Sequence, residues 1–154
     1  MTTDSHLTNC GLDNERCIWV TAPPLPSADA IAALQRGALG VLDYDQWYAG
    51  GSGLRGIEVA DWWLGEEERA LASGYRGLRI AGNTSFLKPD DWPGFMEYER
   101  LVSERLYGRR IVALCSYSVQ GCSASQVAEA KEAHACSFDR PDAAGWQVAA
   151  SQKL

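Results

Sequence analysis

Asn83, Glu99 and Tyr117 are polar side chains set where apolar runs stop or narrow, and they are where binding chemistry would begin. Asn83 follows the strand-like run 77–81 at Gly82-Asn83, and Tyr117 closes the apolar run RIVALCSY. In open α/β sheets ligands bind beyond the carboxyl ends of strands, where loops and helix N-termini converge. Asn83 therefore has two readings. It could hydrogen-bond a ligand there, or simply take a left-handed turn that reverses the chain. Glu99 lies beside the apolar stripe of its helix and could reach the same crevice, whereas a solvated helix face explains Glu97. Trp47, Tyr48, Phe86 and Tyr117 would suit a small, partly apolar ligand at that mouth. Taken singly, each aromatic reads as core packing.

Other chemistries lack their residues. No G-x-x-x-x-G-K-[ST] phosphate loop is present. Residues 51–56 (GSGLRG) match G-x-G-x-x-G, but polar DQWYA precedes them instead of the apolar strand a dinucleotide turn packs against. A loop is the better reading. Cys122, His134 and Cys136 fit no common zinc spacing, so no metal and no cofactor are expected. G-x-S-x-G is absent and neither histidine has a nucleophile neighbour in sequence, so no enzymatic activity is expected.

Bulk properties narrow the class further. The chain of 154 residues carries a net charge of −6, with Arg109-Arg110 as its tightest basic pair. That balance disfavours direct nucleic-acid binding and docking on anionic membranes. At this length a core burying roughly 70% of the unfolded surface needs no metal or disulfide. The five cysteines include no C-x-x-C, and MTTDSHLTNC has no signal-peptide pattern. A single cytoplasmic domain spanning 1–154 is expected, which makes the glycosylation-like triplet at Asn83 meaningless.

The elements that must position these residues alternate. Strands are expected at 16–21, 40–44, 76–81 and 110–117, the last nearly continuous in apolar character. Helices are expected after Ser27, over 57–72 with Gly74 as stop, over 92–106 capped by Asp90 or Asp91, and after Ser123. Residues 135–149 could form a final strand or hairpin around Gly145. The helix over 57–72 sets Ile57, Ala60, Trp63, Leu64, Glu67 and Leu71 on one stripe. This order predicts an α/β fold, a mainly parallel sheet with helices on both faces and the fourth strand in its middle.

The segments ERCIWVTAPPL, DYDQWY, GYRGLRIAGNTSFL, DDWPGFMEYE and RRIVALCSYS, in this order, resemble the MEDS family, the methanogen/methylotroph sensory domain described in the regulator of dichloromethane dehalogenase. The likeness runs from about residue 11 to about residue 138. It implies a RecA/KaiC-like fold without the phosphate loop, and a sensory module for small hydrocarbon-derived or one-carbon signals. Matching family positions are Asn83, Phe86, Glu99, Cys115 and Tyr117. Relatives usually begin with a strand carrying a His and a Phe-Tyr pair; here MTTDSHLTNC precedes Gly11, with His6 too close to stand in for that histidine. Such a loss would bare neighbouring strand edges, and a homodimer could cover them.

The expected function is a sensory module that binds a small organic ligand and signals to an output protein, such as a histidine kinase or transcription regulator. Two alternatives stand beside it. One is a ligand-free interaction or dimerisation module, and the other a degenerate ATPase-like nucleotide-binding domain.

Overall fold

The computed structural model describes residues 14–21, 32, 34–43, 56–84, 87–117, 121–139 and 147–150. Strand β1 (Arg16–Thr21) is followed by β2 (Leu39–Asp43), helix α1 (Gly56–Ala72), β3 (Leu78–Asn83), helix α2 (Trp92–Arg105), β4 (Ile111–Ser116) and helix α3 (Ala124–Ala133). The first four strands form one parallel sheet in the order β2-β1-β3-β4. Strands β5 (Cys136–Asp139) and β6 (Gln147–Ala150) pair as a separate antiparallel hairpin, as the sequence allowed. The fold is α/β.

Period-two alternation divides the sheet into two buried faces. Ile18 and Val20 of β1 join Leu78 and Ile80 of β3 against Trp63 of α1. Cys17 and Trp19 join Leu39 and Ala81 on the other face, where Leu34 packs from a stretch that is helical at residues 32, 34 and 35. A parallel strand buried on both sides reads as a continuous apolar run, and RCIWVT is one.

The same logic fails for β4. Its run IVALC is equally apolar, yet among the described residues the strand sits at the edge of the sheet and Val112 is 51% exposed. Apolar continuity reports that both faces want cover. It carries no information about how many strands flank the element, so the expected central position was wrong.

Helix α1 buries Ala60, Trp63, Glu67 and Ala70, while Ile57 in its first turn is exposed. Trp63 donates its indole N–H to the Tyr98 hydroxyl of α2 at 3.1 Å, which satisfies a buried donor across the helix pair. Glu67, 2% exposed, accepts from the Arg109 guanidinium at 2.7 Å and from the Arg110 backbone N–H at 2.6 Å. It therefore ties the start of β4 to α1. The helix ends as the sequence indicates. Gly74 has φ +87°, its N–H bonds Leu71 O, and the Tyr75 N–H reaches back to Ala70 O. This is the Schellman arrangement, which favours glycine.

Helix α2 departs from expectation at its start. Asp91 occupies the N-cap position but its side chain caps nothing, because a 3-10 turn over Pro89–Asp91 leads directly into the helix. Helix α3 has the full capping box. Ser123 accepts from the Gln126 N–H while the Gln126 side chain accepts from the Ser123 N–H.

Gly77 marks the tightest strand approach. A Cβ there would lie 2.6 Å from the Arg110 carbonyl oxygen, which itself accepts from the Leu78 N–H. We expect Gly77→Ala to lower stability by about 1–3 kcal/mol through forced separation of β3 from β4. A urea unfolding midpoint unchanged from that of the parent chain would contradict this reading of the contact.

Candidate functional site

Strand β3 runs two residues beyond its expected end, so Asn83 is a strand residue paired with Ser116. Among the described residues the non-glycine with positive φ is Asn14, at +56°, not Asn83. The turn reading of Asn83 is thereby excluded. Thr84 seals the strand ends, donating from both N–H and Oγ1 to Ser116 O at 3.1 and 2.8 Å. By alternation Asn83 shares the face of Ala81, opposite to that of Cys115 and Tyr117.

The other face gathers the chemistry. Ile111 packs on the α1 side of the sheet, so Cys115 and Tyr117 project the same way, onto α2. Cys115 donates its S–H to Glu99, with Sγ 3.4 Å from Oε1 and 3.5 Å from Oε2. Glu99, 6% exposed, also lies 3.1 Å from Nε2 of His134, the residue that ends α3. The His134 Nδ1–H donates to Ala130 O at 2.7 Å, which fixes the ring and turns Nε2 toward Glu99. Three elements thus deliver a carboxylate, a thiol and an imidazole to one point.

Aromatic rings enclose that point. Tyr117 meets Trp92, Phe95 and His134 edge to face, with centroids 6.0, 6.5 and 5.8 Å away. Trp92 donates its indole N–H to Glu129 at 3.0 Å, and Arg100 pairs with the same carboxylate at 2.6 Å. These bonds hold α3, and with it His134, against α2. The Tyr117 hydroxyl is buried and finds no hydrogen-bond partner among the described residues. Burial first, and the nearby Glu99 carboxylate second, push its pKa far above the usual phenol range.

Beside Cys115 in the register stands Gly82. A Cβ built on Gly82 would meet no atom of the described residues within 4 Å, so among them space lies open on the sheet next to the thiol. This glycine is not needed for backbone conformation, since its φ is outside the left-handed region. Its lack of a side chain leaves room.

The arrangement argues against nucleophilic catalysis. A catalytic thiol needs a base or a positive neighbour to become thiolate. Cys115 instead faces a carboxylate, and burial and then that charge raise its pKa well above the ordinary thiol value.

Four of the side chains singled out in the sequence are described here. Glu99, Cys115 and Tyr117 come together, while Asn83 ends the neighbouring strand on the other face. Trp47, Tyr48 and Phe86 lie outside the described residues. His134 was considered with Cys122 and Cys136, and the structure gives it different company. Cys122 packs against the apolar cluster of α2, Cys136 is an exposed free thiol, and Glu99 and Cys115 take their place. No local motif could reveal a site shared by the middle of α2, the end of β4 and the cap of α3.

The described residues thus form a parallel sheet whose fourth strand ends in an enclosed polar and aromatic cluster, and the sequence carries no phosphate loop. The model of the MEDS family, the MEthanogen/methylotroph, DcmR Sensory domain, matches residues 6–135, and the chain belongs to that family. Its role is therefore sensory or regulatory. No curated protein and no solved structure matches it. Among the described residues no helix is long and apolar enough to cross a membrane.

The thiols should separate by reactivity. Cys115 is partly exposed as a residue, but its sulfur is turned onto Glu99. We expect iodoacetamide at neutral pH to modify Cys136 well before Cys115, read by peptide mass spectrometry. Cys115 reacting first would mean that the thiol is activated, not suppressed.

Proposed function

We propose that this chain senses a small organic molecule held over the carboxyl ends of β3 and β4, in the space above Gly82 beside Cys115, Tyr117 and Glu99. The observation that carries this reading is the Tyr117 hydroxyl, buried with no hydrogen-bond partner among the described residues, on the side of the sheet that they leave open at Gly82. A buried donor left unpaired costs about 1–3 kcal/mol, which an acceptor on a ligand would recover. The rings of Trp92 and Phe95 would hold the apolar part of such a molecule. Family membership supports a sensory role, and output then passes to a partner protein, such as a histidine kinase or transcription regulator, when α2 and α3 shift on either side of the occupied site.

Native mass spectrometry of the purified chain tests this reading. A retained organic species should vanish in Gly82→Val, whose β-branched side chain suits a strand but fills the space. Tyr117→Phe should also lose it, while leaving the ligand-free protein about as stable or up to about 1 kcal/mol more stable. A chain that retains nothing, with Tyr117→Phe destabilised as strongly as a core deletion, would sink the proposal.

The open edge of β4 favours a second reading, a protein-interaction or dimerisation module. Val112 and Ala113 are exposed on an apolar edge strand, the kind of edge that recruits another strand. If this edge joins two copies, sedimentation should show a dimer that Val112→Lys converts to monomer. A monomer at all concentrations would remove the dimerisation reading.

A further inference from the structure

The cluster at the end of β4 has a composition that ligand enclosure alone does not require. We propose that Glu99, Cys115 and His134 are three ligands of one divalent ion of the zinc type, whose fourth coordination position is open to the sensed molecule. This deepens the ligand-binding reading and rests on it for the occupant of the fourth position.

Geometry is the first argument. One donor atom from each residue lies within 4.8 Å of the other two. From the one oxygen Oε2 of Glu99, Cys115 Sγ lies at 3.5 Å and His134 Nε2 at 3.1 Å. Donors around tetrahedral zinc, at metal–ligand distances of about 2.0–2.3 Å, stand roughly 3.3–3.8 Å apart along the edges. The two Glu99 contacts fall near that range, and the third separation, within 4.8 Å, would shorten by up to about 1 Å as the thiol closes on the ion.

The second argument is the support around the ligands. Metal-binding histidines commonly donate their other ring N–H to a carbonyl or carboxylate, which sets the tautomer and aims the coordinating nitrogen. The His134 Nδ1–H does this with Ala130 O at 2.7 Å, leaving Nε2 toward the site. The helix carrying that carbonyl begins in a capping box and is tied to α2 through Glu129. Glu99 is held by α2, whose Tyr98 is bonded to Trp63 of α1.

The third argument is charge and softness. A thiolate, a carboxylate and a neutral imidazole together carry two negative charges, which one divalent cation cancels. Burying a balanced set costs far less than burying isolated charges. Thiolate and imidazole favour zinc and its transition-metal neighbours, whereas calcium and magnesium want oxygen ligands alone. Three protein ligands with one open position distinguish sites that bind exchangeable molecules from closed structural ones. The open space at Gly82 adjoins the Cys115 ligand, so the molecule it admits is small and carries an oxygen, nitrogen or sulfur donor.

Cobalt(II) alone, added to the chelator-treated full chain, tests the site through its spectrum. We expect one ion per chain, with intense visible bands of four-coordinate cobalt, a thiolate-to-cobalt charge-transfer band, and displacement of both by zinc. Cys115→Ser should abolish the charge-transfer band, and His134→Ala or Glu99→Gln should weaken cobalt binding by about tenfold or more. Cys122→Ser and Cys136→Ser should leave the spectrum unchanged. Circular dichroism checks that each variant is folded, and the parent chain's own spectrum and its thermal stabilisation by zinc stand independently of any variant.

Cobalt that binds without a thiolate band overturns the site, as does a band that survives Cys115→Ser and disappears with Cys136→Ser. A cobalt spectrum of the expected kind, with no organic molecule retained and no response to Gly82→Val, would keep the metal site and remove the ligand reading. A retained molecule lost in Gly82→Val, without any thiolate band, would do the reverse.

Discussion

The buried carboxylate of Glu67 holds the bottom of the sheet together, and the position of everything at the top follows from it. It accepts from the backbone of Arg110, one residue before β4 begins, and from the guanidinium of Arg109. A carboxylate at 2% exposure is stable only when its oxygens are filled by donors, and here both are. The strand start is thereby anchored to α1. Beyond that anchor, strand alternation alone carries Ile111, Cys115 and Tyr117 to the helix-covered face. An anchor shifted by one residue would turn Cys115 away from Glu99.

The candidate site sits where this frame is least committed to packing. The central strands β1 and β3 are closed on both faces, but Gly82, one residue before the end of β3, leaves space beside it, and among the described residues β4 is an edge. Helix α2 supplies core residues Phe95 and Val102 on the same turns that carry Glu99 inward. One helix face thus both holds the core and presents a carboxylate to the site. The arrangement suits a sensor, because a change at Glu99 or His134 is felt at once by the packing between α2 and α3.

Cys115 shows why an assembled site differs from an assembled catalyst. Its thiol, a carboxylate and an imidazole are all within reach of one another, the inventory of a hydrolase. Their order is wrong for that chemistry. The carboxylate stands between the thiol and the imidazole, suppressing the thiolate that a nucleophile requires. The same three groups converge on a common point as donors, which is what coordination asks of them.

Much of the frame was legible without tertiary information. RCIWVT, the helix over α1 with its glycine stop, and the helix that opens at Ser123 are local patterns with local causes, and each appears where expected. Period two placed Cys115 and Tyr117 on one face, and the family resemblance pointed to Glu99. The lateral order of strands was not legible, because an apolar run states only that its faces are buried; β4 therefore proved to be an edge. Nor could the sequence show that Asn83 continues a strand, since its partner Ser116 comes from another element. His134 was read with Cys122 and Cys136 because they are near in the chain. Only the packing of α2 against β4 and α3 brings it to Glu99 and Cys115, and no residue type or spacing encodes that meeting.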